Sequence, residues 1–195
     1  MSAIGIVSLW LMLGSLSAVS PVYPQNTISG GTVVAELHFE SGEVEKVKVL
    51  FGEEPFVGSC KSALAHWKTS SGLDGDEIVI VHFRQPYLYQ LGKTKEEINL
   101  RIAKKELPYP AVIIHPSYPP NAVGQGSVIL RADISDKGQV SNVEVIRSMG
   151  VLTDASVDAV RKWSFIPARD EEGKETPSHA YVVLVYRFPD LTTKE

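Results

Sequence analysis

From Val33 to Glu40 apolar and polar positions alternate. Val33, Ala35, Leu37 and Phe39 stand against Val34, Glu36, His38 and Glu40, the period-two pattern of a strand with one buried face. Ser41-Gly42 predicts a hairpin turn, glycine suiting the positive φ that short turns need. Val44 then falls out of step with Val47 and Val49, which predicts a β-bulge just after the turn. Next the period changes: Phe56, Cys60, Ala63, Leu64 and Trp67 share one side of a helix running to about Trp67. A loop of Ser, Gly and Asp from Thr69 to Gly75 leads into a closing strand, Ile78 to Phe83.

The same succession returns further on. Val128, Leu130, Ala132 and Ile134 alternate inward, a turn ends at Gly138, and Gln139 to Ser148 returns with Val140 out of step with Val143 and Val145. Thr153 is the expected N-cap of a helix that ends at Trp163, with Asp154 early and Arg161 and Lys162 late. Tyr181 to Phe188 closes the unit, with Val182, Leu184, Tyr186 and Phe188 facing the core and Tyr181, Val183, Val185 and Arg187 on the other face. The turn glycine and the tryptophan are 25 positions apart in both copies, 67 minus 42 and 163 minus 138. Between them Val44, Val47, Val49, Phe56, Ala63 and Trp67 fall on Val140, Val143, Val145, Leu152, Ala159 and Trp163. Tyr23-Pro24 also stands to Gly31 as Tyr118-Pro119 stands to Gly126. The chain reads as a tandem repeat. The expected fold is α+β: two tandem small units, each a three-stranded antiparallel sheet covered by one main helix. Trp67, Trp163 and Phe165 are the expected core anchors, and Gly42 and Gly138 the turn residues.

Five segments follow from this. Residues 1–20 are an apolar, uncharged stretch, either a signal peptide ending in the small residues Ser17-Ala18-Val19-Ser20, an N-terminal anchor, or the start of a chain that has lost its true N-terminus. Residues 21–86 are the first repeat and 118–189 the better preserved second one. Between them, 87–117 is a connector with a short helix expected over Lys95–Leu107, where Thr94 and Glu97 form a capping box and Ile98 and Ile102 an apolar stripe. A polar tail covers 190–195.

Composition narrows the functions. The apolar fraction of 44% and charged fraction of 22% are those of a globular protein. A net charge of −4 without a basic run argues against nucleic acid as partner. Cys60 is the single cysteine, so no intrachain disulfide exists, and on the apolar side of a helix it reads as a small buried hydrophobe. His38, His66, His82, His115 and His179 lack the short spacings of metal ligands, and the calcium-like start at Asp133 fails at Lys137. No nucleophile and base pair, no carboxylate pair and no phosphate loop stands out, so no catalytic residue, metal or cofactor is expected. What remains is a binding surface. A sheet of three strands leaves an open edge, and an open edge is a template for an extended peptide.

Tyr118-Pro119, Ala122, Gly126-Ser127-Val128, Gly138-Gln139-Val140, Val143, Val145, Ser148, Ala159, Arg161, Trp163-Ser164-Phe165 and Pro167-Ala168 together resemble the C-terminal domain of TonB, the energy transducer of Gram-negative bacteria. The first repeat looks like a degenerate copy, keeping Tyr23-Pro24, Gly31, Gly42, Val44 and Trp67-Lys68. The resemblance implies a periplasmic location, soluble or tethered to the inner membrane by the N-terminal segment. It also implies that extended segments of outer-membrane receptors bind along the final strand, which maps onto His179, Tyr181, Val183, Val185 and Arg187. The expected function is that of a non-enzymatic TonB-like protein-binding module acting by strand addition in energy-dependent transport. The alternative is a structural or assembly protein whose domains pair edge to edge without energy transduction. Partners are then an outer-membrane receptor or another envelope protein, and exposed edges allow a homodimer. The membrane is met only through the N-terminal segment, if it is uncleaved.

Overall fold

The computed structural model describes residues 15–25, 27, 29–85, 94–100, 102, 104–122 and 125–187. Most of residues 1–20, the polar tail and Phe188 lie outside the described residues. In the first half, β1 (Leu16–Ser17) and a strap of extended chain precede β2 (Gly31–Glu40), β3 (Glu43–Phe51), α1 (Phe56–Leu64), β4 (Lys68–Thr69) and β5 (Gly75–Arg84). Next come β6 (Lys95–Glu97) and β7 (Tyr109–Ile114). The second half holds β8 (Gly126–Ile134), β9 (Val140–Arg147), α2 (Val151–Val160), β10 (Ser164–Ile166), β11 (Ala168–Arg169), β12 (Glu175–Thr176) and β13 (Ser178–Tyr186).

Each half repeats hairpin, helix and closing strand, but the two are not separate three-stranded units. They fuse into one 8-stranded sheet in the order β1-β4-β3-β2-β5-β13-β8-β9, which corrects the expected α+β fold of two small domains. Strand dominates, and the only helices among the described residues are α1 and α2. The joint is a parallel pair in which β5 lies along β13, Val79 beside Tyr181 and Phe83 beside Val185.

The physical reason lies in the closing strands. Ile78-Val79-Ile80-Val81 and Ala180 to Val185 are apolar on both faces, as central strands of a sheet buried on both sides must be. Alternate residues accordingly feed two cores. One holds Ile78, Ile80, Leu130, Val182, Leu184, Trp163 and Phe165 under α2; the other holds Val79, Val81, Phe83, Val183, Val185 and Trp67 under α1. The halves are thus related by a half-turn about a line running along the strands between β5 and β13, with one helix on each face.

Local details of the two halves correspond. Both hairpins carry the bulge expected after the turn, in the register shifts at His38/Phe39 and Asp133/Ile134. Gly42 (φ +83°) and Gly138 (φ +73°) lie where a Cβ would meet the carbonyl oxygens of Thr69 and Phe165, at 2.5 Å and 2.0 Å. The carbonyls of the two glycines accept the N–H groups of those same two residues, at 2.7 Å and 2.8 Å. The indoles match as well: Trp67 Nε1 donates to the carbonyl of Val19 at 2.8 Å and Trp163 Nε1 to that of Ile114 at 2.9 Å.

Two local expectations need correction. The connector forms strand over Lys95–Glu97 where the capping box predicted the start of a helix, because β7 offers it an edge: Lys95 pairs with Ile114 and Glu97 with Val112. Together β10, β7 and β6 make a 3-stranded second sheet over the α2 side of the main one. Thr153 is not the N-cap of α2. The helix begins earlier, after Gly150, and the Thr153 hydroxyl accepts the Met149 N–H at 2.7 Å. No helix among the described residues is long and apolar enough to cross a membrane.

Candidate functional site

Of the residues expected to meet a partner, His179, Tyr181, Val183 and Val185 lie on β13 and Arg187 directly follows it, and β13 is internal. Antiparallel β8 occupies one flank and parallel β5 the other. Tyr181, Val183 and Val185 are buried in the core under α1, where the sequence pattern put them on an outward face. Burial pushes the Tyr181 phenol up to about 12, helped by the nearby Glu77 carboxylate. His179 is half-buried, with Nε2 3.0 Å from Glu77 Oε2. Arg187 donates to the Pro24 carbonyl at 3.2 Å and sits 5.8 Å from the centre of the Tyr23 ring. These residues hold the two halves and the strap together, and a strand could reach β13 only by displacing β5 or β8.

Trp67, Trp163 and Phe165 are buried. Cys60 is buried as well, and burial, with Glu54 nearby, pushes its thiol up to about 12, far from a reactive thiolate. Among the described residues no group of three or more His, Cys, Asp or Glu side chains could hold a metal ion.

Among the described residues the main sheet leaves long edges at β3, beyond the short β4, and at β9, and the two differ in chemistry. β3 carries Glu43, Glu45, Lys46 and Lys48, and β4 covers its start at Glu43. Charged side chains on an edge discourage further pairing. β9 ends the sheet on the other side, where among the described residues it pairs only with β8, apart from a bridge between Gln139 and Ser164 just before it. Its charged residues are Glu144 and Arg147, and Arg147 is engaged by the strap, donating to the Ala18 carbonyl at 2.6 Å. Val145, 43% exposed, lies opposite Leu130 on the α2 side, the side where Val151 of α2 is 41% exposed. Glu144 points to the other face, opposite Arg131. The β9 edge is therefore an unguarded backbone template with apolar contacts on one face and a carboxylate on the other. The sequence signal for it was the scarcity of charge between Val140 and Ile146.

A buried polar chain ties the second sheet to the first half. The Thr32 hydroxyl donates to Glu96 Oε2 at 2.6 Å, so it accepts from His82 Nδ1 at 2.9 Å. His82 Nε2 then accepts from His115 Nδ1 at 3.0 Å, with the two rings stacked. Burial holds His82 well below its ordinary pKa, and the neighbouring His115 and Arg84 add to the shift. Nearby, Lys104 of the connector bridges Glu36 at 2.8 Å and Asp76 at 2.5 Å, and these hydrogen bonds raise its pKa. Both clusters dock the connector on the sheet, and the Lys104 cluster lines an open polar cavity of about 650 Å³ with His38, Glu45, Lys46 and Lys48.

Compared with protein-family models, residues 114–188 match the family described as Gram-negative bacterial TonB protein C-terminal. The match takes in Ile114 and the strands and helix from β8 to β13, and the first half lies outside it. No curated protein sequence matches the chain.

Proposed function

With residues 114–188 a domain of the TonB C-terminal family, we propose that the protein is a periplasmic protein-interaction module. In this reading it takes an extended segment of an outer-membrane receptor as an added strand, in energy-dependent transport, and has no catalytic role. The observation that carries the reading is the unguarded edge of β9, separated by β8 from a β13 whose two flanks are already filled. A segment laid along β9 gains backbone hydrogen bonds whatever its sequence. Apolar residues on its α2 side would meet Val143 and Val145, and a basic residue on the other side would face Glu144.

The test is an NMR titration of the full chain with peptides from the N-terminal segments of the host's outer-membrane receptors. Saturable shifts centred on Val140–Ile146 are expected. Shifts centred on Ser178–Tyr186 with loss of the β5 pairing would move the site to β13 and make strand exchange the mechanism. If no receptor peptide perturbs either strand, the receptor reading fails.

A second reading is favoured by the β5–β13 joint, which is itself an edge-to-edge pairing of two TonB-sized units. In that reading β9 pairs with β9 of a second copy and the protein serves assembly of the envelope without energy transduction. Sedimentation equilibrium over a dilution series separates the two, since only self-pairing makes the mass depend on concentration.

A further inference from the structure

Residues 18–25 run as a strap over the core under α1, and side chains from both halves hold its backbone. Its carbonyls at Ala18, Val19, Val22 and Pro24 accept from Arg147, Trp67, Ser59 and Arg187 respectively. Between this strap and α1 lies a groove of about 620 Å³ lined by strap residues other than Pro21, from Val19 to Gln25, and by Pro55, Ser59, Ser62, Ala63 and His66. In a chain that is 22% charged, this lining holds no Asp, Glu, Lys or Arg. Its polar groups are also largely engaged: Ser59 donates to Val22, His66 Nδ1 to the Ser62 carbonyl and the Tyr23 hydroxyl to the Ser29 carbonyl. Its exposed apolar groups are Val19 at 45% and Val22 at 75%, with Gln25, Ser62 and His66 exposed along the rim.

An incoming peptide needs backbone partners, and the strap has turned these carbonyls inward. Hydrocarbon needs none, and a surface whose backbone polar groups are satisfied is what a lipid environment requires. The chain leading into the strap points the same way. Residues 1–14 contain no charged side chain and carry Ile4, Ile6, Val7, Leu9, Trp10, Leu11, Met12 and Leu13. They join the folded body at Ser15, immediately before β1, whose Ser17 pairs with Lys68 of β4. The small residues that resemble a cleavage site are thus part of the fold, Ala18 being buried.

We propose that the groove between the strap and α1 is a membrane-apposed face that takes up lipid acyl chains, seating the body directly on the bilayer surface. The face is separate from the β9 edge and does not depend on the receptor reading. It commits the protein to a fixed orientation, with the strap and α1 toward the lipid and α2 with the second sheet turned away.

The experiment uses the full chain with an environment-sensitive fluorophore at Val22→Cys or, as a local control, at Ser70→Cys. Ser70 is exposed and its N–H bonds the Ser15 carbonyl at 3.2 Å, beside the start of the apolar segment but outside the groove. Cys60 can remain, because it is buried. With phosphatidylethanolamine and phosphatidylglycerol vesicles, the probe at position 22 should shift to the blue with a several-fold rise in emission while that at 70 stays unchanged. The unlabelled double variant Val19→Asp, Val22→Asp should lose vesicle binding by at least about tenfold, the scale expected for withdrawing a valine from hydrocarbon. Three outcomes overturn the inference: the chain fails to float with vesicles, it floats but position 22 does not respond, or position 22 responds to protein concentration without lipid, which would make the face a contact between copies.

Discussion

Glu36 and Arg131 hold the same place in the two halves of the sheet and carry opposite charge. Glu36 pairs across to Lys48, and Arg131 across to Glu144. The reversal extends to their neighbours, since His38 lies opposite Asp76 where Asp133 lies opposite His179. The two clusters sit on opposite faces, each closed by its own partners: Glu36 by Lys48 at 3.6 Å and Lys104 at 2.8 Å, Arg131 by Asp133 at 3.4 Å and Glu144 at 3.8 Å. A repeat with identical charges in both copies would let either half accept the other's strands. With the charges reversed, each strand matches its own position better than the equivalent one, which favours a single register.

Glu36→Arg places a cation against Lys48 and Lys104 in a nearly buried position. The expected cost is about 3–5 kcal/mol, the scale of a stranded buried charge. Adding Lys48→Glu should return only part of it, because Lys104 stays. Urea denaturation of both single variants and the double variant measures the coupling directly.

Gly138→Ala should destabilise far more than Gly72→Ala. Both glycines have positive φ, +73° and +62°, but a Cβ at 138 would meet the Phe165 carbonyl oxygen at 2.0 Å while at 72 nothing lies within 4 Å. The Gly72 variant should lose about 1 kcal/mol from backbone strain and the Gly138 variant about 3 kcal/mol or more. Midpoints of chemical unfolding give the comparison.

Acid should weaken the fold through His82. Its folded pKa lies well below 6.5, so below pH 6.5 the unfolded chain binds more protons than the folded one. The stability from keeping His82 neutral is therefore complete above about pH 6.5 and is lost as pH falls toward the folded value, by up to about 1.4 kcal/mol per pH unit. A series of urea midpoints from pH 7 downward should show this slope, and His82→Gln, which has no proton to gain, should flatten it.

Val145→Lys should protect the β9 edge as lysines protect β3. Receptor-peptide affinity is expected to fall by about tenfold with the thermal midpoint unchanged, since Val145 is already 43% exposed. Isothermal titration and a melting curve on the same preparation separate the two effects.

The elements of both halves were legible in the sequence: hairpins from the alternation, bulges from the step at Val44 and Val140, helices ending near Trp67 and Trp163. How the halves join was not, because a strand's local pattern does not name its neighbour. The signal that was present, apolar residues on both faces of Ile78–Phe83 and Ala180–Val185, reads differently once a second core is known to exist. Tyr181, Val183 and Val185 looked like an outward row only while each unit was given a single helix-covered face. The connector misled for a similar reason. Thr94 and Glu97 make a good helix start locally, and a long-range partner, β7, outweighed it. For the candidate site, the bare edge at β9 could be read as a strand but not as the end of a sheet until the strand order was known.

The parallel joint between β5 and β13 also sets a schedule. Val79 pairs with Tyr181, which follows it by 181 minus 79, or 102, positions. Chain that emerges N-terminus first can complete the first hairpin, α1 and β5 early, yet one flank of β5 has no neighbour until almost the last strand arrives. Throughout that interval a strand that is apolar on both faces from Ile78 to Val81 is exposed to every other unfinished copy, the circumstance in which β-rich chains aggregate. Closing this seam is a non-local pairing that must wait for β13. Premature termination anywhere before Ser178 would leave the first half permanently sticky.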